Sequence, residues 1–484
     1  MGVMTAYARA EAVQAGRAQP LATVRHAHLS ARPIVFIPLK LAGEAAAPVG
    51  AMLGTDPDHP HLLVVPQPRN RDLRFAFMAE LAEILLPYIE SFQKDSETVD
   101  AKEPYERFLG APQVLVPNRS GMAFTGLLGR SSRFRRPDGP YPVHPSVPIL
   151  GRWLTFLAER SEFAGSSLVL PMTETLALHW ATGQSPMEDG NLAALFGWIA
   201  PPDGLTGPEA AALAEDPLRS PPAGPATDPG FDNAVLDPAI GSFDATGSPA
   251  QVRSALRSQL EPTWRLMWRA VDLLRELPEG ASVPVRWQDD RSAFTRYTAQ
   301  LAEGGYPQAR RDSAVGAAIR LDQLERAQQR YDVQRAYDDP LVMAEYRLTG
   351  TTFAGQVIAA DPTRVVPTAR SRVLRPLVTV QTSDPVRLSR GDTLRSPAMP
   401  RQEAVVVEVS AGQIVLELSG GMGRSLTPPP GSVPELGERV CYTDLSLDVR
   451  MGARFPSREN TPWTHGGPPQ DYVPTDEDAQ EAWS

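Results

Sequence analysis

Forty-nine of the 484 residues are prolines. A proline inside a helix removes a backbone hydrogen bond and clashes with the preceding turn, and inside a central strand it removes a ladder donor. A chain punctuated this often folds into short elements joined by irregular connections, so any long uninterrupted segment stands out. At roughly 100–200 residues per domain, the length predicts two to four domains. The apolar share of 42% and charged share of 21% are those of a chain that folds.

After about 28 polar, alanine-rich residues, Pro33-Ile34-Val35-Phe36-Ile37-Pro38-Leu39 predicts a buried strand, because a short β-rich apolar run is bounded by prolines. Leu62–Val65, Gln113–Val116 and Ser167–Leu170 repeat that signature. Between Asp72 and Phe92 the apolar residues Phe75, Met78, Leu81, Leu85, Tyr88 and Ile89 fall at helical spacing, with Pro87 expected to kink or end the helix. Further helices are expected near Ile149–Arg160 and Asn191–Ile199. Strands and helices mix without regular alternation, which predicts an α+β fold for residues 30–200.

Residues 201–250 hold ten prolines and six glycines with no apolar period and predict a linker. From Gln251 the pattern changes: Val252, Leu256, Leu260, Trp264, Met267, Val271 and Leu274 recur three or four apart, a long amphipathic helix. A second is expected from Ser313 to Tyr337, and the two predict a helical stalk over 251–345. Then come short strands, Thr352–Ala360, Val373–Gln381, Ala404–Ser410 and Gln413–Leu418, separated by glycine turns; this spacing predicts a small β-barrel over 346–448. Residues 1–29 and the acidic 449–484 are expected to be a flexible N-terminus and a tail.

The chain has only three lysines, Lys40, Lys94 and Lys102, none in a glycine-rich turn. A Walker-type ATPase needs such a lysine to reach the outer phosphates, so that class is excluded. No GxSxG, HExxH or EF-hand pattern is present. Cys441 is the single cysteine, which excludes an internal disulfide and a cysteine-based zinc cluster, and it reads as a small apolar strand residue. Asp56, Asp58, His59 and His61 are the densest potential ligand group, although ordinary loop chemistry accounts for them and no metal or cofactor is expected. No run approaches the roughly 18 apolar residues of a membrane span, and the N-terminus lacks the apolar core of a secretory signal, so a cytoplasmic location is expected.

The net charge of −10 conceals an asymmetry: residues 251–401 hold 23 arginines, no lysine and 17 acidic residues, a balance of +6 that leaves −16 elsewhere. Arginine forks match phosphate, so two arginine groups are candidate nucleic-acid contacts. They are Arg119, Arg130, Arg133, Arg135 and Arg136 in the N-terminal region, and Arg370, Arg372, Arg375, Arg387 and Arg390 on the barrel.

The two long helices, Thr352–Val357, Leu388-Ser389-Arg390-Gly391-Asp392-Thr393-Leu394, Ala404–Val409, Ile414–Leu418 and Gly437-Glu438-Arg439-Val440 together resemble the stalk and accessory barrel of superfamily-one helicases of the nonsense-mediated-decay type, over residues 251–442. The resemblance implies contact with single-stranded nucleic acid without the motor, because the motor's phosphate-binding loop is not found at Gly466-Gly467-Pro468-Pro469. The expectation is a non-catalytic subunit of a nucleic-acid-processing assembly, as in bacterial defence or repair, with a helicase or nuclease partner. Two alternatives remain open: a scaffold using the linker, Trp264, Trp268 and the acidic tail, and an enzyme in which His179, Glu174 and Asp189 converge within residues 30–200.

Overall fold

The computed structural model describes residues 2–447, apart from 218, 219, 311, 369, 370 and 424, together with 455 and 456. The fold is α+β. Among the described residues the chain divides into two compact units, a larger one of residues 7–327 and a smaller one of residues 2–6 and 328–447.

The larger unit is built on a five-stranded sheet of Ile34–Lys40 (β1), Pro48–Gly54 (β2), His61–Val64 (β3), Val114–Val116 (β4) and Val169–Pro171 (β5). Its order is β3-β2-β1-β4-β5; β1, β4 and β5 run parallel, while β2 and β3 form an antiparallel meander on the other side of β1. Every apolar residue of β1 is buried because the strand is covered on both faces, and its period of two divides them. Ile34 and Phe36 enter one core with the helices Arg71–Glu90 (α1), Arg119–Ser132 (α2), Ser146–Arg160 (α3) and Val283–Ala302 (α5). Val35, Ile37 and Leu39 enter the other with Leu192–Ile199 and Ala250–Arg275 (α4).

Three sequence expectations change here. The α4 stripe packs against the sheet, with Val252, Leu256, Leu260, Trp264, Met267, Val271 and Leu274 all in its core, so this helix is a layer of the larger unit and not a stalk. The expected linker carries the helices Gly207–Ala214 and Asp237–Thr246, and its Leu236 and Ala239 join the same core. Pro87 does not end α1, which continues to Glu90; the lost bond lies near the helix end, where burial of Tyr88 and Ile89 outweighs it. The second long helix forms as Ala314–Asp338 (α6), and the division between the units falls inside it.

The smaller unit contains the predicted barrel: Thr352–Asp361 (β6), Leu377–Gln381 (β7), Thr393–Ser396 (β8), Met399–Ser410 (β9), Gln413–Ser419 (β10) and Arg439–Thr443 (β11), closed in the order β6-β7-β10-β9-β8-β11. All its pairings are antiparallel, and closure leaves no open sheet edge. Alternate residues, among them Val378, Val380, Ile414, Leu416 and Leu418, fill the interior. The β9–β10 hairpin turns on Ala411-Gly412, with Gly412 at φ +73°, a left-handed conformation that glycine adopts without strain. Cys441 lies on β11, where burial pushes its thiol up to about 11.

Outside the barrel wall, the helix Pro340–Arg347 (α7) is fastened by a two-pronged ion pair: Arg347 Nε and Nη2 each donate to Asp384 at 2.7 Å. Asp384 also accepts from the Ala354 N–H on β6 at 2.7 Å. Burial pushes the Asp384 carboxyl up, but the Arg347 and Ala354 hydrogen bonds outweigh it, and the group lies below the usual aspartate range. Asp384→Ala is expected to destabilise the barrel by about 2 kcal/mol, the scale of charged hydrogen bonds. A depressed carboxyl stabilises the native state above its unfolded pKa, and that contribution disappears as pH falls through its folded value. Urea titrations of wild type and variant should therefore converge in acid below about pH 4; a gap that stays constant in acid would remove Asp384 as the cause.

Candidate functional site

Of the N-terminal arginines, the structure disperses most. Arg133 and Arg135 are 3% and 5% exposed. Arg133 Nε donates to the Gln308 carbonyl at 2.8 Å, and Arg135 Nε donates to Ser131 O at 3.1 Å while its guanidinium lies over Phe75. Both are interior anchors, which corrects their assignment as surface phosphate contacts. Arg136 is paired with Asp138 at 3.1 Å, and exposed Arg130 borders a small recess that also contains Glu159 and Glu162. Burial raises the Glu159 carboxyl above its ordinary range despite Arg320 nearby. The segment therefore forms the end of α2 and the turn after it, with Arg133, Arg135 and Arg136 engaged within the fold and Arg130 exposed.

The barrel arginines separate differently. Arg347, Arg364 and Arg395 are paired with Asp384, Glu417 and Glu403, and Arg375 lies 3.9 Å from Glu417. Arg372, Arg387 and Arg390 are exposed and make no side-chain hydrogen bond or ion pair among the described residues. Two arginines that the charge census had not singled out, Arg401 and Arg439, are in the same state. Arg370 lies outside the described residues. Surface position and the lack of a carboxylate partner, not density along the chain, mark the arginines available to an external anion.

The larger unit also contains a crevice of about 750 Å³ outside the carboxyl ends of the parallel strands, the place where open α/β sheets take ligands. The β4 end contributes Asn118, Arg119 and Ser120; the β5 end contributes Thr173 and Glu174. Gly224 closes the β1 side, because the segment after it bonds along β1 through Lys40 N–H to Pro225 O at 2.7 Å. Asn118 caps α2 by accepting from the Gly121 N–H at 2.9 Å and donates from Nδ2 to Gly224 O at 2.8 Å, joining two walls. On the third wall Arg9 Nη2 donates to Asp189 Oδ2 at 3.1 Å. Asp189 is in turn fixed by Thr182 Oγ1 at 2.6 Å and Gln184 Nε2 at 3.1 Å.

Glu174 and Asp189 thus reach one crevice, but His179 does not join them as a catalytic trio. It is 1% exposed, its Nε2 accepts the His26 N–H at 3.0 Å, and its Nδ1 donates to Thr175 O at 2.7 Å. Both ring nitrogens are committed to the backbone, so the imidazole has no free position for proton transfer.

In the loop Asp56–His61, His59 Nδ1 is 2.8 Å from Asp56 Oδ2, and this bond raises the imidazole's affinity for a proton. Among the described residues, no three or more His, Cys, Asp or Glu side chains are grouped to hold a metal ion. The loop is pinned by Trp264 Nε1 donating to Pro57 O at 2.8 Å. Trp264 and Trp268 are core residues, 2% and 8% exposed, and so are not surface anchors for a partner.

No helix among the described residues is long and apolar enough to cross a membrane. No family model, curated protein or solved structure matches the chain.

Proposed function

We propose that the chain is a non-catalytic subunit that binds single-stranded nucleic acid through its C-terminal barrel and works beside a separate helicase or nuclease. The observation that carries this reading is the set of five exposed barrel arginines, Arg372, Arg387, Arg390, Arg401 and Arg439, without carboxylate partners among the described residues. An arginine already paired must break that pair to bind a phosphate, whereas these five exchange only water and counterions. No lysine lies in a glycine-rich turn, which supports a reading in which any ATP hydrolysis is supplied by a separate polypeptide.

Fluorescence anisotropy with a labelled single strand tests the proposal. Affinity should fall with salt, with a log–log slope of about −0.7 for each phosphate contacted. The double variant Arg387→Glu/Arg390→Glu should weaken binding at least about tenfold and flatten that slope, uniformly across sequences. Arg364→Glu, at a paired position, should change it far less. Failure of the chain to retain single-stranded DNA or RNA at low salt, or a salt-independent affinity, would overturn the reading.

A further inference from the structure

We infer that the barrel contacts bases as well as phosphates: a row of three glutamines across its outer wall meets the edges of unpaired bases and prefers adenine. This rests on the barrel being the nucleic-acid surface, and it gives the bases a position that the exposed arginines alone do not.

The row follows from strand register. Gln356 on β6 lies opposite Arg439 on β11 and opposite Gln381 on β7; Gln381 lies opposite Gln413 on β10, and Gln413 opposite Ser410 on β9. Residues directly opposite in an antiparallel pair project from the same face, and the neighbours Val357, Val380 and Ile414 fill the interior. Arg439, Gln356, Gln381, Gln413 and Ser410 are accordingly all exposed, one per strand at about 4.8 Å spacing, and no carboxylate interrupts them.

Two hydrogen bonds hold the amides in place. Gln413 Nε2 donates to Gln381 Oε1 at 3.1 Å, and Gln356 Nε2 donates to Gly437 O at 3.0 Å. Each of these nitrogens has a second hydrogen, and Gln356 Oε1, Gln413 Oε1 and Gln381 Nε2 have no protein partner among the described residues. Every amide thus still offers a donor beside an acceptor. The turns next to the row leave it bare: Gly412 and Gly437 have φ of +73° and +89°, and a methyl group on Gly412 would stand 2.9 Å from Gln381 Nε2.

A carboxamide is neutral and adds little for a phosphate, but it matches a base edge that also carries a donor beside an acceptor. The N6–H and N7 of adenine take a glutamine amide in two bonds. A duplex shows this edge only in a major groove about 12 Å wide, which admits a helix or a two-stranded ribbon and not a wall of five strands, so the row suits a single strand. Arg439 at its end supplies charge for an adjoining phosphate. Among the described residues of the barrel no aromatic side chain is exposed, so base edges and not stacking on rings carry the recognition.

Fluorescence anisotropy on the full chain tests this with three strands of equal length and charge: oligo(dA), oligo(dT) and an abasic strand. Wild type should bind oligo(dA) at least about tenfold more tightly than the other two, with the same salt slope for all three. Gln356→Ala/Gln381→Ala/Gln413→Ala should bring oligo(dA) down to the abasic level and leave the slope as it was, because no phosphate contact is lost. Gln381→Ala alone, a milder change in the middle of the row, should reduce the preference about fivefold. Arg387→Glu/Arg390→Glu should instead weaken all three strands alike.

Equal affinity of wild type for oligo(dA) and the abasic strand would overturn the row and leave the arginine reading in place. A triple variant that still prefers oligo(dA) would overturn it as well. Failure to retain any of the three strands at low salt would overturn the barrel reading itself, and the row with it.

Discussion

Gly151→Ala is expected to destabilise the larger unit by about 3 kcal/mol, the upper range for overpacking a close-packed interior. Gly151 lies on α3 where that helix meets the end of α2. A methyl group there would sit 2.5 Å from the Arg133 backbone nitrogen and 2.8 Å from its Cα. These are main-chain atoms, so relief requires the helices to separate. The approach is reciprocal, because a methyl on Gly129 of α2 would lie 2.6 Å from the Thr155 backbone nitrogen of α3. Gly241→Ala is the control: it lies in the helix Asp237–Thr246 with nothing within 4 Å of the added methyl, so helix propensity should stabilise it by up to about 1 kcal/mol. Tryptophan fluorescence follows the right unit in urea, since residues 328–447 contain no tryptophan. A Gly151→Ala midpoint equal to wild type would show that the two helices have room to part.

Asp290→Ala should have a comparable or larger effect, about 3–5 kcal/mol, because it breaks a buried charge pair from one side. The side chain is 1% exposed. Oδ1 accepts from Arg160 Nη2 at 3.2 Å and Ser166 Oγ at 2.8 Å, and Oδ2 accepts from the Ser167 N–H at 2.6 Å. Burial pushes this carboxyl upward, and the Arg160 charge and serine donors oppose that. Removing it leaves three donors, one of them charged, without their acceptor at the entrance to β5. The double variant Asp290→Ala/Arg160→Met should recover part of the loss, because the unpaired charge is removed with its partner. If the double variant is less stable than Asp290→Ala alone, the cost does not arise from stranding Arg160.

The barrel was largely legible along the chain. Val378, Val380, Ile414, Leu416 and Leu418 alternate with outward residues at the strand period, and glycine marks the left-handed turn at Gly412. Those signals are local, and closing the barrel only brought consistent strands together. The stripe on α4 was equally legible, but its partner was not, since an amphipathic face states that something covers it without naming what does. A sheet whose strands β1, β2 and β3 lie more than 180 residues upstream covers it.

The functional groups depended still more on the fold. Arg133 and Arg390 have the same chemistry in the sequence; one is buried against the Gln308 carbonyl and the other is exposed on a barrel loop. Arg9 and Asp189 are 180 positions apart, and nothing local links either to Arg119. What the amino-acid sequence determined by itself was four strands of the sheet, four of the six barrel strands, the α4 stripe and the absence of a phosphate-gripping lysine, because these are written in neighbouring side chains and in composition; Pro48–Gly54, Thr393–Ser396 and Arg439–Thr443 emerged as strands only in the fold. The tertiary structure decided which arginines remain available and where a crevice opens, because burial and charge pairing are set by residues distant in the chain and adjacent only once it is folded.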